Sequence, residues 1–395
     1  MPSTEASINN ISFALSDEQR ELIALAHEFA ANELRPAAAE FELEWRVPTE
    51  LLAKAAEAGL LTYAIPEEYG GGGVDAVTAA LLMEELTWGD PGLATLLGSA
   101  HLFAMGLMAA DADETQRAEW LTRMCRPGGT TGAIAFSESH AGSDFANIRA
   151  TATKDGDDWV HNGEKTWITG GSTFADAMLV FARTGGAGAS GISAFIVEGE
   201  REGVSSQKLS LMGLRGSYTG SIFLNDVHLP ANRLVGPEGG GFSIAMAFFA
   251  HSRPQVGAAS IGIARAAFEY AVQYANEREA FGKPLMTKQG VSFMLADMGM
   301  KIEAARALVL RAADTTSRGE DAGLVGSYAK AFASDVAMEV TTNAVQILGG
   351  AGLSTDHPVE RWMRDAKVLQ IVEGTNQIQR LIASRYYSQG ITRVP

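Results

Sequence analysis

The spacing of apolar residues changes twice along the chain. Ser16-Asp17-Glu18-Gln19 reads as a capping box, with Leu22, Leu25, Ala26 and Phe29 behind it at helical spacing. Pro36 is expected to end that helix. Further helical stretches are punctuated by Gly59, by the run Gly70 to Gly73 and by Asp90-Pro91-Gly92. After Pro127-Gly128-Gly129 the period shortens. Thr151 to Lys154, the turn Asp155-Gly156-Asp157 and Trp159 to His161 predict a hairpin, and Ala177–Arg183 and Ile192–Val197 predict further strands. The Gly/Ala/Ser tract at 185–191 is expected to be a surface loop. From Gly241 helical spacing returns, with breaks at Gly282-Lys283-Pro284, Ser317-Arg318-Gly319 and Leu348-Gly349-Gly350. Four long helices are expected there, enough for an antiparallel bundle. The predicted organisation is helical over 1–129, β over 130–238 and helical over 239–395.

Composition narrows the function classes. With 395 residues the chain should fold as two or three packed layers or domains, and its net charge is −16. That balance argues against a nucleic-acid or anionic-membrane binder, since both need a cationic face. The single cysteine, Cys125, allows neither an intrachain disulfide nor a thiol metal cluster, and no metal site is expected. The first residues are acidic and lack the apolar run of a secretory leader, and no stretch is long and clean enough to span a bilayer. A cytoplasmic protein is the plain expectation.

Five motifs stand out in register: Ser137-Glu138-Ser139-His140-Ala141-Gly142-Ser143-Asp144, Trp167-Ile168-Thr169-Gly170, Arg278-Glu279-Ala280-Phe281-Gly282-Lys283, Val345 to Gly350, and Ile371-Val372-Glu373-Gly374-Thr375-Asn376-Gln377. Together they resemble the acyl-CoA dehydrogenase family, from about Phe13 to Tyr387, and most closely its short- and medium-chain types. The resemblance implies an N-terminal all-α domain, a middle β-barrel domain and a C-terminal four-helix bundle. It also implies FAD held between the last two, a homotetramer, an acyl-CoA substrate, and electrons passed to an electron-transfer flavoprotein.

On spacing alone, Glu373 reads equally as a cap for a helix starting near Thr375 or as a base on a glycine-flanked loop. The resemblance implies the base, which removes the thioester's α-proton while the β-hydrogen leaves as hydride. The position that carries the base in other branches is Ser252 here. The backbone N–H of Glu373 and a ribityl hydroxyl of FAD would meet the developing enolate oxygen. By the same resemblance Trp167 shields the flavin and Thr169 bonds near its N5. Ser137 and Ser143 contact flavin and thioester, and Glu373-Gly374 line the thioester site. Arg278 and Phe281 reach a neighbouring subunit's FAD, Arg278 pairing with its pyrophosphate. Gln346 and Gly349-Gly350 approach the same half by backbone, while Thr375 and Gln377 contact it from the other side.

As isolated residues these have plainer readings: a core tryptophan, loop serines, a solvated arginine. Arg253 resembles a contact to the CoA adenine. Three positions earlier, where most relatives have an aspartate for the pantetheine arm, this chain has Ala250. Ser139-His140 and Phe136 also depart from type, and His140 reads as a solvent-facing loop residue. The acyl pocket floor is expected around Thr87-Trp88-Gly89 and Gly98 to His101, with Trp88 either filling the pocket or sitting in the core. The alternatives are a family relative with another activity (oxidase, monooxygenase, desulfinase, or carrier-protein thioesters) and a non-catalytic binding protein that keeps the fold.

Overall fold

The structure is a computed structural model, describing residues 14–43, 48–110, 112–170 and 175–391. The segment read for a leader therefore lies largely outside it. The chain opens with α1 (Asp17–Phe29), capped by the expected box: Ser16 Oγ accepts from Gln19 N at 3.1 Å, and Gln19 Oε1 accepts from Ser16 N at 3.0 Å. Pro36 does not end the helical run. A π-helical turn, Ala30–Leu34, leads directly into α2 (Arg35–Leu43), and Arg35 N–H bonds back five residues to the Ala30 carbonyl. The wider turn shifts the hydrogen-bond register just before Pro36 and leaves room for its ring, so the chain continues where an α-helix would break.

Next come α3 (Thr49–Glu57), α4 (Ala76–Gly89), α5 (Pro91–Leu97), α6 (Ser99–Ala109) and α7 (Glu114–Met124). Side chains of Asp75, Asp90 and Asp113 cap α4, α5 and α7, and Pro91 stands just inside α5, where its missing N–H costs nothing.

The β region holds β1 (Gly132–Ala135), β2 (Thr151–Asp155), β3 (Asp158–Ile168), β4 (Ala177–Arg183), β5 (Ile192–Val197), β6 (Val204–Lys208), β7 (Gly220–Leu229) and β8 (Leu234–Val235). The predicted hairpin is β2–β3, turning at Gly156. The strand order is β6-β7-β3-β2-β4-β5-β8, with β1 parallel to β4. The halves of this path meet at one pair, Thr151 opposite Arg183. There the Arg183 guanidinium donates to the carbonyls of Ala146, Ile148, Gly186 and Gly188. One fork thus fastens the 185–191 loop to the sheet junction.

The C-terminal part differs from the expected four long helices. It has three, α8 (Gly241–Glu277), α9 (Gln289–Ser317) and α10 (Gly323–Leu348), and two shorter ones, α11 (Val359–Leu369) and α12 (Asn376–Ser388). A two-stranded ribbon, β9 (Glu279–Ala280) with β10 (Lys283–Pro284), joins α8 to α9. The break after Leu348 is the expected one; the extra break is the turn around Glu373, which divides the fourth helix into α11 and α12.

One apolar core runs through α1–α5 and α8–α11, while α6 and α7 pack with the β region in a second. One close seam in the first is α4 against α8. A Cβ on Gly262 would overlap Thr87 Oγ1 and the Glu84 carbonyl, so only glycine allows this approach. Arg265 and Arg306 tie the same seam to Glu84 at 2.8 and 2.7 Å, and Arg265 also reaches Glu85. Trp88 belongs to this core. Its indole N–H donates to Glu269 at 2.7 Å and the Arg35 guanidinium lies 3.5 Å above its ring, which resolves the two readings of Trp88 in favour of packing. Among the described residues, no single helix is long and apolar enough to cross a membrane.

Candidate active site

Two constructions organise the predicted residues. The first is at the end of β3. Opposite Ser221 of β7 the strand carries two residues, Thr166 and Trp167, so the register shifts between Lys165 and Ile168. This bulge puts Trp167 at φ 62° and leaves the residue 58% exposed. A core tryptophan is excluded; the indole is held out as a surface. Thr169 Oγ1 lies 3.4 Å from Thr219 Oγ1.

The Ser137 loop is bound to the same strand end. Thr166 N donates to the Ser137 carbonyl at 2.9 Å. Beneath it, Lys165 Nζ donates to Glu138 Oε1 at 2.7 Å, with both side chains buried. Glu138 also accepts from the N–H groups of Arg149 and Ala150 at 2.6 and 3.0 Å. Burial lowers the Lys165 ammonium to about 8 against the opposing pull of Glu138. His140 and Ser143 are exposed on this loop. His140 Nε2 stands 3.6 Å from Glu138 Oε2, at the loop surface as expected.

The second construction presents Glu373. The residue adopts φ 52°, uncommon for any side chain but glycine, and Gly374 follows at φ 90°. The cap of α12 is Thr375, whose hydroxyl accepts from Ile378 N at 3.3 Å. Glu373 is therefore not the cap. Its Oε2 is buried, as is Ser252 Oγ beside it on α8, and neither makes a hydrogen bond of good geometry. Burial pushes the Glu373 carboxyl above its usual range, while the Ser252 hydroxyl, Lys330 and Arg253 pull it back. Among the described residues, the Glu373 N–H has no hydrogen-bond partner. A buried carboxylate and a free backbone donor thus issue from the same residue.

Arg253 is buried on α8 with Nε unpaired, and the charges around it are Glu373, Asp321 and Tyr386. It is a neighbour of the carboxylate rather than a residue of an open rim. Ala250, one helical turn earlier, turns its carbonyl towards Gly326 of α10.

A third group stays apart from these two. Arg278 closes α8 and leads into the β9–β10 ribbon, whose tip is Phe281, 96% exposed at φ 54°. Among the described residues the Arg278 guanidinium makes no hydrogen bond or ion pair, and only the Lys288 amine approaches the Phe281 ring, at 5.6 Å. Gln346, Gly349, Gly350 and Gln377 are likewise exposed, and a Cβ added at either glycine would meet nothing within 4 Å.

Family models for the acyl-CoA dehydrogenase N-terminal, middle and C-terminal domains match residues 16–127, 133–227 and 239–387. The chain belongs to the acyl-CoA dehydrogenase family. It is 43% identical over 375 residues to a probable acyl-CoA dehydrogenase of Mycobacterium leprae, covering 94% of this chain and 96% of that one. Butyryl-CoA dehydrogenase from Megasphaera elsdenii superposes with a TM-score of 0.92 at 39% identity, covering 96% and 100% of the two chains. A chain solved in work on the electron transferring flavoprotein of Acidaminococcus fermentans gives 0.91 at 40% identity, covering 95% and 99%.

Acyl-CoA dehydrogenases are FAD-dependent oxidoreductases, and this chain is one of them. Its residues fit the cofactor. An exposed indole on a bulge offers a flat apolar face, an unpaired guanidinium suits a pyrophosphate, and Gly349-Gly350 leave backbone open to close approach.

The sequence reading missed what lies under Glu373. Lys330 of α10, fully buried, donates to the Gly374 carbonyl and to Asn376 Oδ1, both at 2.9 Å. Gln379 Nε2 donates to the carbonyls of Gly374 and Glu373 at 2.9 and 3.2 Å. Asp335 gathers Asn376, Gln370 and Arg380. The available signal was one lysine within the otherwise apolar run Ala329 to Ala333.

Proposed function

We propose that this acyl-CoA dehydrogenase removes the α-proton of a short- or medium-chain acyl-CoA with Glu373. The observation that carries this reading is the pairing of a buried, unbonded carboxyl oxygen with an unpaired N–H on the same residue. A thioester whose carbonyl oxygen accepts from that N–H brings its α-carbon to the carboxylate of Glu373. The donor then meets charge as it develops, while burial keeps the base strong. Ser252 and Arg253 stand beside the carboxylate on α8 and favour its charged form. FAD, when bound, supplies the acceptor for the β-hydride.

Trp167, Thr169, Ser137 and Ser143 are proposed as the contacts of this subunit to the flavin and thioester, with Thr375 and Gln377 on the Glu373 side. Arg278, Phe281, Gln346, Gly349 and Gly350 are proposed to serve the FAD of a neighbouring subunit in a homotetramer. Support comes from the projection of Phe281 and Arg278 away from their own chain. An electron-transfer flavoprotein is the proposed electron acceptor. Ala250 removes a carboxylate that a pantetheine arm would use, yet plain CoA remains the proposed tail. Arg253 persists, and a net charge of −16 would repel an acidic carrier protein. One cysteine fits a reducing compartment, so a cytoplasmic setting completes the proposal.

The test is Glu373→Gln, read by anaerobic bleaching of the flavin across a panel of acyl-CoAs. The variant should keep its FAD and lose roughly 10²–10⁴-fold in reduction rate. Near wild-type bleaching would remove Glu373 from the mechanism.

A further inference from the structure

A lysine fully enclosed in protein requires a reason, because burying an ammonium is costly unless it is hydrogen-bonded and balanced by negative charge. Lys330 has two, and both belong to the segment that carries Glu373: the Gly374 carbonyl and Asn376 Oδ1, each at 2.9 Å. Neither acceptor depends on the lysine alone. The Gly374 carbonyl also accepts from Gln379 Nε2 at 2.9 Å, and Asn376 Oδ1 from Ser334 Oγ at 3.1 Å. An uncharged donor would have satisfied these atoms, so what lysine adds is charge.

We propose that Lys330 is the positioning residue of the Glu373 base: its ammonium pins the left-handed turn at Glu373-Gly374 and supplies the positive field that keeps the carboxylate ionised. This rests on the assignment of Glu373 as base. The turn needs such a clamp, since φ 52° at a glutamate is a strained state that persists only where the surroundings over-determine it. Lys330 from α10 and Gln379 from α12 converge on its carbonyls and fix the two peptide planes that follow the Glu373 Cα, and so hold the turn from which the carboxyl issues.

The field is defined by few groups. Facing Glu373 are Lys330 and, from α8, Arg253 with the Ser252 hydroxyl. Facing Lys330 are Glu373, Asp335 on its own helix, Arg253, and Arg380 on α12. Asp335 is already engaged by Arg380, Asn376 and Gln370, so Glu373 is the carboxylate left for Lys330 to balance. Burial brings the Lys330 ammonium down to about 8, so it is charged at neutral pH.

The experiment is the pH profile of anaerobic flavin bleaching by butyryl-CoA, measured by stopped flow on FAD-replete enzyme. Lys330→Met and Lys330→Gln both remove the charge, and the glutamine keeps a donor. In each, the acid limb of the profile should move up by about 1 pH unit, so that the rate falls about tenfold below it and recovers at high pH. Lys330→Arg should return the limb towards wild type. A purely structural role would change FAD retention or thermal stability and leave the limb in place. Glu373→Gln is run alongside. If it bleaches normally, the base assignment falls and the role of Lys330 with it. If it is inactive while both neutral Lys330 variants hold FAD and keep the wild-type limb, the inference about Lys330 alone is overturned.

Discussion

Replacing Glu138 with leucine would break the buried pair under the Ser137 loop, and its cost can be worked from the contacts. Two backbone donors, Arg149 N and Ala150 N, lose their acceptor inside the protein, at about 1–3 kcal/mol each and independent of pH. Lys165 loses its counter-charge and keeps only the Phe136 carbonyl at 3.3 Å. It will shed its proton. With the paired lysine at about 8, that costs about 1 kcal/mol at pH 7, about 3 kcal/mol at pH 6 and almost nothing at pH 9. The sign follows from linkage. The folded variant binds one proton fewer than the wild type below pH 8, so its deficit shrinks as pH rises.

The total at neutral pH is about 3–7 kcal/mol, a range that includes the loss expected when one partner of a buried pair is removed. Urea unfolding at pH 6, 7 and 9, at fixed protein and FAD concentration, measures it. Glu138→Leu combined with Lys165→Met should lose the pH dependence and keep the backbone part. A Glu138→Leu penalty under about 1 kcal/mol, or one flat from pH 6 to 9, refutes the reasoning.

Asp365 offers a second pH-dependent signature. Burial beside Asp90 raises its carboxyl to about 7, although Oδ1 accepts from Leu214 N at 2.6 Å. Its folded state holds the proton more tightly than the unfolded chain, so this group's contribution to stability is full below about pH 4 and is lost as pH rises through 7. Asp365→Asn, which keeps an acceptor for Leu214, should gain on the order of a few kcal/mol over wild type at pH 8 in urea unfolding and nothing at pH 4; equal stability at pH 8 would contradict this. Arg278→Ala should release FAD on dilution several-fold faster than wild type with unchanged circular dichroism, and unaltered retention by gel filtration would remove Arg278 from the cofactor site.

Features decided by neighbours in sequence were legible before the fold. The capping box at Ser16, the β2–β3 hairpin and the strands Ala177–Arg183 and Ile192–Val197 are local, and they stand where the pattern put them. Pro36 was misread because the π turn that tolerates it leaves no trace in hydrophobic spacing. The helix count failed at turns whose geometry depends on distant partners. The turn at Glu373 is held by Lys330 and Gln379, and nothing adjacent to Glu373 shows it. Trp167 was similarly open between core and surface, since a bulge is a property of two strands rather than one. Glu373 itself was visible as a candidate, but its release from capping became clear only when Thr375 took that place.

The seam between α4 and α8 bears on how anything reaches Glu373. Opening the two helical halves like a clamshell would part surfaces in backbone-to-side-chain contact at Gly262 and strip Arg265 and Arg306 from Glu84, at several kcal/mol for such buried charge. Among the described residues, the turn at Glu373 is tied within the C-terminal half, to Lys330 of α10 and Gln379 of α12. The base is thus supported from two sides, by that seam and by Lys330 and Gln379 beneath the Glu373 turn, so a variant with altered substrate choice is expected to change pocket side chains and leave both supports alone.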